Sequence, residues 1–412
     1  MPKQSLLFSF CLIGLGVLAQ DTVRFKIVTD YALVDYSKTI ITNAEHLKPF
    51  FEKLYKLKQE KKGTLSILHL GDSHVQGGYN TQQLRTNFQL EFGNAGRGFV
   101  MPARVAGTNE PYSYKTESTS KWESKRMVFP DQPLPIGLGG ITIRTEDEKA
   151  TLSLTVFNYT NLNYGFNRVT TFFLKEPRSY HLSIEDTLHQ QLAYVGNFSA
   201  SNFIHSASVN LPTVYNKLNF NALKSIQTQN RFTLFGFNLE NGQPGILYHS
   251  MGVNGAKYKH YLSTDFYLEQ AATLKPDLIV IALGTNEALD HPYSDPKFSE
   301  QVKTLIQQLK RYNPSATFVI STHPDSYKKK TKRNPGVATI HEKLLDAVAE
   351  NNVACFDLYE AAGGKHAADK WQEAGLLRDD GVHFTRAGYE LQGNMFYLAL
   401  IKAYNQYVSD RR

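Results

Sequence analysis

Four short stretches of this chain carry residue types that could act together on one bond. The first is Gly71-Asp72-Ser73-His74, followed by Gly77-Gly78. A serine hydroxyl is a weak nucleophile until a base takes its proton, and the glycine before Ser73 permits a tight turn that would expose it. The second stretch is Asp379-Asp380-Gly381-Val382-His383. Asp380 and His383 are spaced so that the carboxylate can accept from one ring nitrogen, fix the tautomer and turn the other nitrogen toward a serine. The third, Gly284-Thr285-Asn286-Glu287, offers the side-chain amide of Asn286. The fourth is Gly252 within His249-Ser250-Met251-Gly252-Val253-Asn254, which reads as a glycine turn with a backbone N–H to offer. Donors of both kinds stabilise the oxyanion formed when a hydroxyl attacks a carbonyl carbon. Each stretch also has an ordinary structural reading: a turn, a surface Asp near a helix-start His, an Asn that caps a helix. Their combination points to acyl transfer through serine.

Such residues need strands and turns to hold them. Thr64 to Leu70 is a short apolar run stopped by Gly71, and similar runs return at 277–283, 316–321 and 353–358. Helical patterns lie between and around them: Leu47, Phe50, Phe51 and Leu54; Val302, Leu305, Ile306 and Leu309; Ile340, Leu344, Leu345 and Val348; and a closing helix from Thr385 to Val408. Strands without polar alternation, separated by amphipathic helices, predict an α/β fold with a parallel sheet flanked by helices. Ser73 would then stand beyond the carboxyl end of a parallel strand, where such sheets bind ligands. From 105 to 240 the hydrophobic period changes to two, as in Thr151-Leu152-Ser153-Leu154-Thr155-Val156. That alternation predicts an inserted antiparallel β-sandwich-like domain. The expected layout is a first α/β part over 21–104, the β-rich insertion over 105–240 and a second α/β part over 241–412.

At 412 residues the chain exceeds the ~250–300 residues at which one core stops growing, which agrees with more than one unit. Two cysteines, Cys11 and Cys355, exclude a disulfide framework, and Cys355 in an apolar run reads as an inert core thiol. Residues 1–20, with Lys3, an apolar stretch from Leu6 to Leu18, and Ala19, read as a secretory signal peptide. The apolar stretch is shorter than the ~20 residues of a membrane span. The chain is therefore expected to be exported, periplasmic or secreted, with no stable membrane insertion once the signal is removed. The formal charge of +7 is dispersed, and its densest run, Lys328 to Arg333, lacks interleaved aromatics. It reads as a solvated loop, so no nucleic acid is expected as partner.

Taken in order, the four motifs resemble those of the SGNH hydrolases, a branch of the GDSL esterase and lipase superfamily. The nucleophile motif matches Gly71-Asp72-Ser73, the glycine donor Gly252, the asparagine motif Gly284-Thr285-Asn286, and the C-terminal Asp-x-x-His Asp380 to His383. The resemblance covers 21–104 and 241–412 and implies a flavodoxin-like sheet. It also implies Ser73 as nucleophile, His383 as general base and then acid, and Asp380 as its orienter. The oxyanion hole would comprise the N–H groups of Ser73 and Gly252 and the side chain of Asn286, with no metal or organic cofactor. Glu287 departs from the family, much of which has Asp after the Asn; the donor role of Asn286 does not depend on it. The insertion and the runs Gly-Asp-Ser-His and Gly-Thr-Asn-Glu look like those of bacterial periplasmic peptidoglycan O-acetylesterases. The implied activity is removal of O-acetyl groups from a cell-wall glycan, which the insertion would grip through aromatics such as Tyr112, Tyr114 or Trp122. Three other readings compete: an acetyl esterase acting on xylan or on capsular or exopolysaccharide; a metal-dependent phosphoesterase using Asp72, His74, Glu287 and His323; and a non-catalytic glycan-binding protein. The second lacks a full set of closely spaced ligands, and the third has the intact set of Ser73, Gly252, Asn286, Asp380 and His383 against it.

Overall fold

The computed structural model describes residues 21–27, 32–129, 131, 134–196, 205–290, 297–330 and 332–411. The signal peptide expected over 1–20, with Cys11, lies outside the described residues. A six-stranded sheet runs in the order Ile41–Thr42, Ala354–Phe356, Thr317–Ser321, Leu278–Ala282, Thr64–Gly71, Gly245–Gly252. The last five are parallel to one another, and Ile41–Thr42 pairs antiparallel at the edge. In chain order the parallel strands lie second, first, third, fourth, fifth, the flavodoxin-like arrangement. Its switch point falls between Thr64–Gly71 and Leu278–Ala282, the crevice where such sheets bind ligands.

Both faces of the sheet are covered, so its strands are mostly apolar and their few polar side chains, among them Ser66, His69, His249 and Ser250, are buried. Ile67 and Val280 face a core with Phe50, Leu54, Leu84, Phe88 and Met395 from the helices Lys48–Glu60, Tyr79–Phe92 and Arg386–Asp410. Their neighbours Leu68, Ile279 and Ile281 face the other way, toward Val302, Leu305, Ile340 and Leu344 of the helices Phe298–Tyr312 and Gly336–Asn351.

Between the helix Tyr79–Phe92 and the strand Gly245–Gly252 the chain builds two antiparallel sheets. One has the order Gln191–Val195, His181–Glu185, Lys217–Leu223, Thr151–Val156, Tyr114–Glu117; the other Ser206–Tyr215, Phe166–Phe173, Phe232–Glu240, Ile141–Thr145, Glu123–Arg126. Thr151–Val156 buries alternate residues, Leu152, Leu154 and Val156. The short strand Gly98–Val100 pairs with Phe232–Glu240, so the chain joins this layer before residue 105. The sandwich core is continuous with the core on one face of the parallel sheet.

Two expectations need correction. The stretch around Gly252 is not a turn but the end of an eight-residue buried strand, Gly245–Gly252, paired in register with Thr64–Gly71. His249 and Ser250 disguise it; His249 is accommodated in the core because its Nδ1 accepts the Phe99 N–H at 3.1 Å and its Nε2 meets Ser66 Oγ at 3.2 Å. The basic run is also not a plain loop: Tyr327–Lys328 pairs with Lys332–Arg333, and Arg333 is anchored to Asp369. Cys355 is a free, buried thiol, and burial pushes its pKa well up.

Candidate active site

The strand Thr64–Gly71 delivers the chain directly into the helix Ser73–Gln76. Glycine is needed at 71 because a Cβ there would lie 2.3 Å from Val75 Cγ2. The turn is held from both sides: Tyr261 Oη donates to the Gly71 carbonyl at 2.6 Å, and Asp72 Oδ1 accepts the His74 N–H at 2.9 Å as the helix cap. Ser73 thus opens a helix beyond the carboxyl end of the strand, beside the switch point.

The second half of the site comes from the loop before the helix Arg386–Asp410. Asp380 Oδ1 accepts the N–H groups of Val382 and His383, each at 2.8 Å, and Gly381 adopts a φ of +72° to close this small turn. Asp380 Oδ2 meets His383 Nδ1 at 2.9 Å, and His383 Nε2 meets Ser73 Oγ at 2.9 Å. Partial burial works to raise the pKa of Asp380, but the two N–H groups and the His383 ring outweigh it and hold it below the ordinary carboxylate value. The arrangement is a carboxylate, an imidazole and a hydroxyl in one hydrogen-bonded line, contributed by residues 310 positions apart in the chain.

Gly252 lies against the Ser73 turn. A Cβ on it would stand 2.3 Å from Gln76 N, 2.5 Å from Asp72 O and 2.7 Å from Val75 C. Asn286 opens the third side, in the helix Thr285–Leu289 after the neighbouring strand. Its Nδ2 donates to Asp72 Oδ2 at 3.2 Å and to the Ala256 carbonyl at 3.0 Å, so both amide hydrogens have acceptors. Asp72 is buried, and burial pushes its pKa up to about 7 despite the bonds from His74, Asn286 and Thr285 that favour the carboxylate. Glu287 is buried beside it; burial and the nearby Asp72 charge likewise push it up to about 7, while the Tyr258 N–H opposes the shift.

Several contributors escaped the reading of the sequence. Asp72 matters as the acceptor that orients Asn286, a role that depends on two strands being neighbours. Gln76 ties three segments together: its Nε2 donates to Thr108 Oγ1 at 3.0 Å and the Asn109 carbonyl at 2.9 Å, and its Oε1 accepts the Asn254 N–H at 2.6 Å. A loop of the β-rich part is thereby stitched to both the Ser73 helix and the residues after Gly252. The aromatics separate by environment. Tyr114 is buried beneath Arg97, 5.0 Å from its ring, and its hydroxyl accepts the Met101 N–H. Trp122 packs on the sandwich core with Nε1 bonded to Ser118. Tyr112 is half-buried at the seam, stacked on Tyr79 at 5.2 Å with the Arg386 guanidinium 5.0 Å away. Beside it runs a surface groove of about 290 Å³ that includes Arg104, Asn109, Tyr112 and Phe157.

Comparison with known proteins agrees with this architecture. Residues 230–391 match the model of the GDSL-like Lipase/Acylhydrolase family. That span holds Gly252, Asn286, Asp380 and His383, whereas Ser73 lies before it, on the far side of the β-rich part. No curated protein matches the chain. Among solved structures, a peptidoglycan O-acetylesterase superposes with a TM-score of 0.74 at 22% identity, over 89% of this chain and 99% of the other. A putative GDSL-like lipase from Parabacteroides merdae, at 22% identity, covers 38% of this chain and 73% of its own, with a TM-score of 0.32. An acetylxylan esterase from Geobacillus stearothermophilus, at 16% identity, covers 38% and 74%, with a TM-score of 0.31. A mostly parallel sheet ending in these motifs and a superposition that spans the antiparallel sheets as well give the fold, and the family match gives the chain a GDSL-like lipase/acylhydrolase domain over residues 230–391.

Proposed function

We propose that this protein removes O-acetyl groups from a cell-wall glycan, most specifically peptidoglycan, by a serine esterase mechanism. The observation that carries the proposal is the line Asp380–His383–Ser73, with 2.9 Å at each side-chain junction. Ser73 Oγ attacks the acetyl carbonyl while His383 Nε2 takes its proton, and Asp380 stabilises the imidazolium. The negative charge on the carbonyl oxygen is met by the N–H groups of Ser73 and Gly252 and by Asn286 Nδ2, which shares the hydrogen of its longer bond to Asp72. Collapse of the tetrahedral intermediate expels the sugar hydroxyl, which receives the proton from His383. Water then attacks the acetyl-serine by the same route in reverse, releasing acetate.

The choice of glycan is supported by the likeness to a peptidoglycan O-acetylesterase, which extends through the antiparallel sheets. The groove between Arg104 and Phe157 adjoins the loop tied to the Ser73 helix, and its lining sets Arg104 and Lys115 against one carboxylate, Glu110, beside aromatic rings, a balance that suits an anionic glycan. This reading places the protein outside the cytoplasm, consistent with the signal peptide expected at its start. The test is acetate release from purified O-acetylated peptidoglycan and from acetylated xylan, by wild type and Ser73→Ala. Release from peptidoglycan by wild type alone is expected; preference for xylan would replace the substrate, and equal release by Ser73→Ala would overturn the mechanism.

A further inference from the structure

Beneath the Ser73 turn, between the carboxyl ends of the parallel strands and the helices Tyr79–Phe92 and Arg386–Asp410, lies a cavity of about 40 Å³. Its lining residues include His69, His74, His323 and Gln392, each of which has a buried Nε2 with no hydrogen-bond partner among the described residues. The other nitrogen of each imidazole is engaged. His69 Nδ1 meets Tyr248 Oη at 2.7 Å, His74 Nδ1 meets Tyr389 Oη at 3.0 Å, and His323 Nδ1 meets the Pro324 carbonyl at 3.1 Å. A carbonyl only accepts, so His323 Nδ1 carries its proton and Nε2 is a bare acceptor, whereas Gln392 Nε2 is a donor. The cavity therefore asks its occupant both to donate and to accept.

Charge narrows the choice. Burial pushes the pKa of His69 and His74 down to about 3 and that of His323 to about 4, so all three rings are neutral near pH 7. An anion would find no counter-charge here. Among the described residues no group of three or more His, Cys, Asp or Glu side chains is placed to hold a metal ion. Water fits both the polarity and the size, since each molecule needs ~10–15 Å³ of such a cavity.

We propose that this cavity is a hydration site holding about three water molecules, hydrogen-bonded to Nε2 of His69, His74, His323 and Gln392. Its place gives it a use. His74 follows Ser73 in the chain, and its ring lies 5.5 Å from that of His383. The waters complete the hydrogen bonding of His74 and so support the floor on which His383 rests. The site does not depend on the glycan chosen above.

The test uses the wild-type protein, crystallised at about 1.3 Å resolution and again under xenon pressure. Two to four ordered waters within hydrogen-bond reach of the four nitrogens, and no xenon there, are expected. Xenon in the cavity, or no ordered water, would overturn the proposal, because apolar cavities stay dry and take up xenon. In Gln392→Leu the water on that nitrogen should disappear while those on the histidines remain; an unchanged cluster would remove Gln392 from the site.

Discussion

Replacing Gly252 by alanine puts a methyl group among three backbone atoms of the Ser73 turn, at 2.3, 2.5 and 2.7 Å, where ordinary contact begins at 3.4 Å. None of these atoms is the end of a flexible side chain that could swing away. Relief requires the strand end and the nucleophile turn to separate by about 1 Å, and overpacking of this kind costs ~1–3 kcal/mol. The catalytic penalty is larger in proportion, because a misplacement of ~1 Å in a reacting constellation can cost ~10²-fold. Gly252→Ala should therefore lower kcat/KM for an aryl acetate by about 10²-fold or more, and lower the Tm by a few degrees. Gly255→Ala is the control: its φ is +81° but nothing lies within 4 Å of the added methyl. It should lose ~1–2 kcal/mol of stability from left-handed strain and keep its activity. Wild-type kcat/KM in Gly252→Ala, measured beside an unfolding curve, would refute the claim that this contact sets the geometry of the oxyanion hole.

Asn286→Ala should reduce kcat by ~10²–10³ with little change in KM, since a lost oxyanion donor acts on the transition state; near-normal turnover would remove Asn286 from that role. Asp380→Asn keeps the shape of the loop but not the charge that orients His383, and kcat should fall by up to ~10⁴, as read by steady-state hydrolysis of the same ester. Burial raises Asp72 and Glu287 to about 7. Between about pH 4 and pH 7 the folded protein thus holds protons that the unfolded chain releases, and this stabilisation, full below pH 4, is lost as the pH rises through 7. The buried histidines, lowered to about 3 to 4, act in the opposite sense below 6.5. The carboxylate contribution is therefore read as a difference: urea unfolding should show Glu287→Gln gaining on wild type from pH 5 to pH 8, and parallel curves would contradict it.

The parts of this design that could be read from sequence are those with a local signature. Leu278-Ile279-Val280-Ile281 is apolar without alternation because both faces of its strand are covered, and Thr151–Val156 alternates because only one face is. The Asp380-to-His383 spacing was equally legible, since the turn that joins them is closed locally, by the Asp380 carboxylate accepting the N–H groups of Val382 and His383. What escaped the sequence depends on neighbours from elsewhere in the chain. The end of Gly245–Gly252 reads as a turn in sequence because its histidine is satisfied by Phe99 and Ser66 and its serine by Thr81, all distant in the chain. Asp72 looked like one more residue of the nucleophile motif until the strand order put Asn286 beside it. Gln76 carried no signal at all, and its importance comes from three segments that meet only in the fold.

Where the β-rich part enters and leaves has a mechanical consequence. The chain departs after the helix that follows Ser73 and returns on Gly245–Gly252, the strand adjacent to the one that presents Ser73. At its base Gly98–Val100 is clamped to Phe232–Glu240, so the outgoing and returning chains are held together by a ladder before either reaches the parallel sheet. The returning strand ends at Gly252, within van der Waals distance of the nucleophile turn. A second tie, from Gln76 to Thr108 and Asn109, fixes the first loop of the sandwich to the same turn. With the two cores continuous, a displacement of the sandwich cannot be absorbed by a linker. It is passed by the strand and by Gln76 to the two sides of Ser73. Under the proposed function, a glycan held in the groove beside Tyr112 would be registered against Ser73 by the packing itself, and a domain far from the nucleophile in sequence would help choose which ester the nucleophile meets.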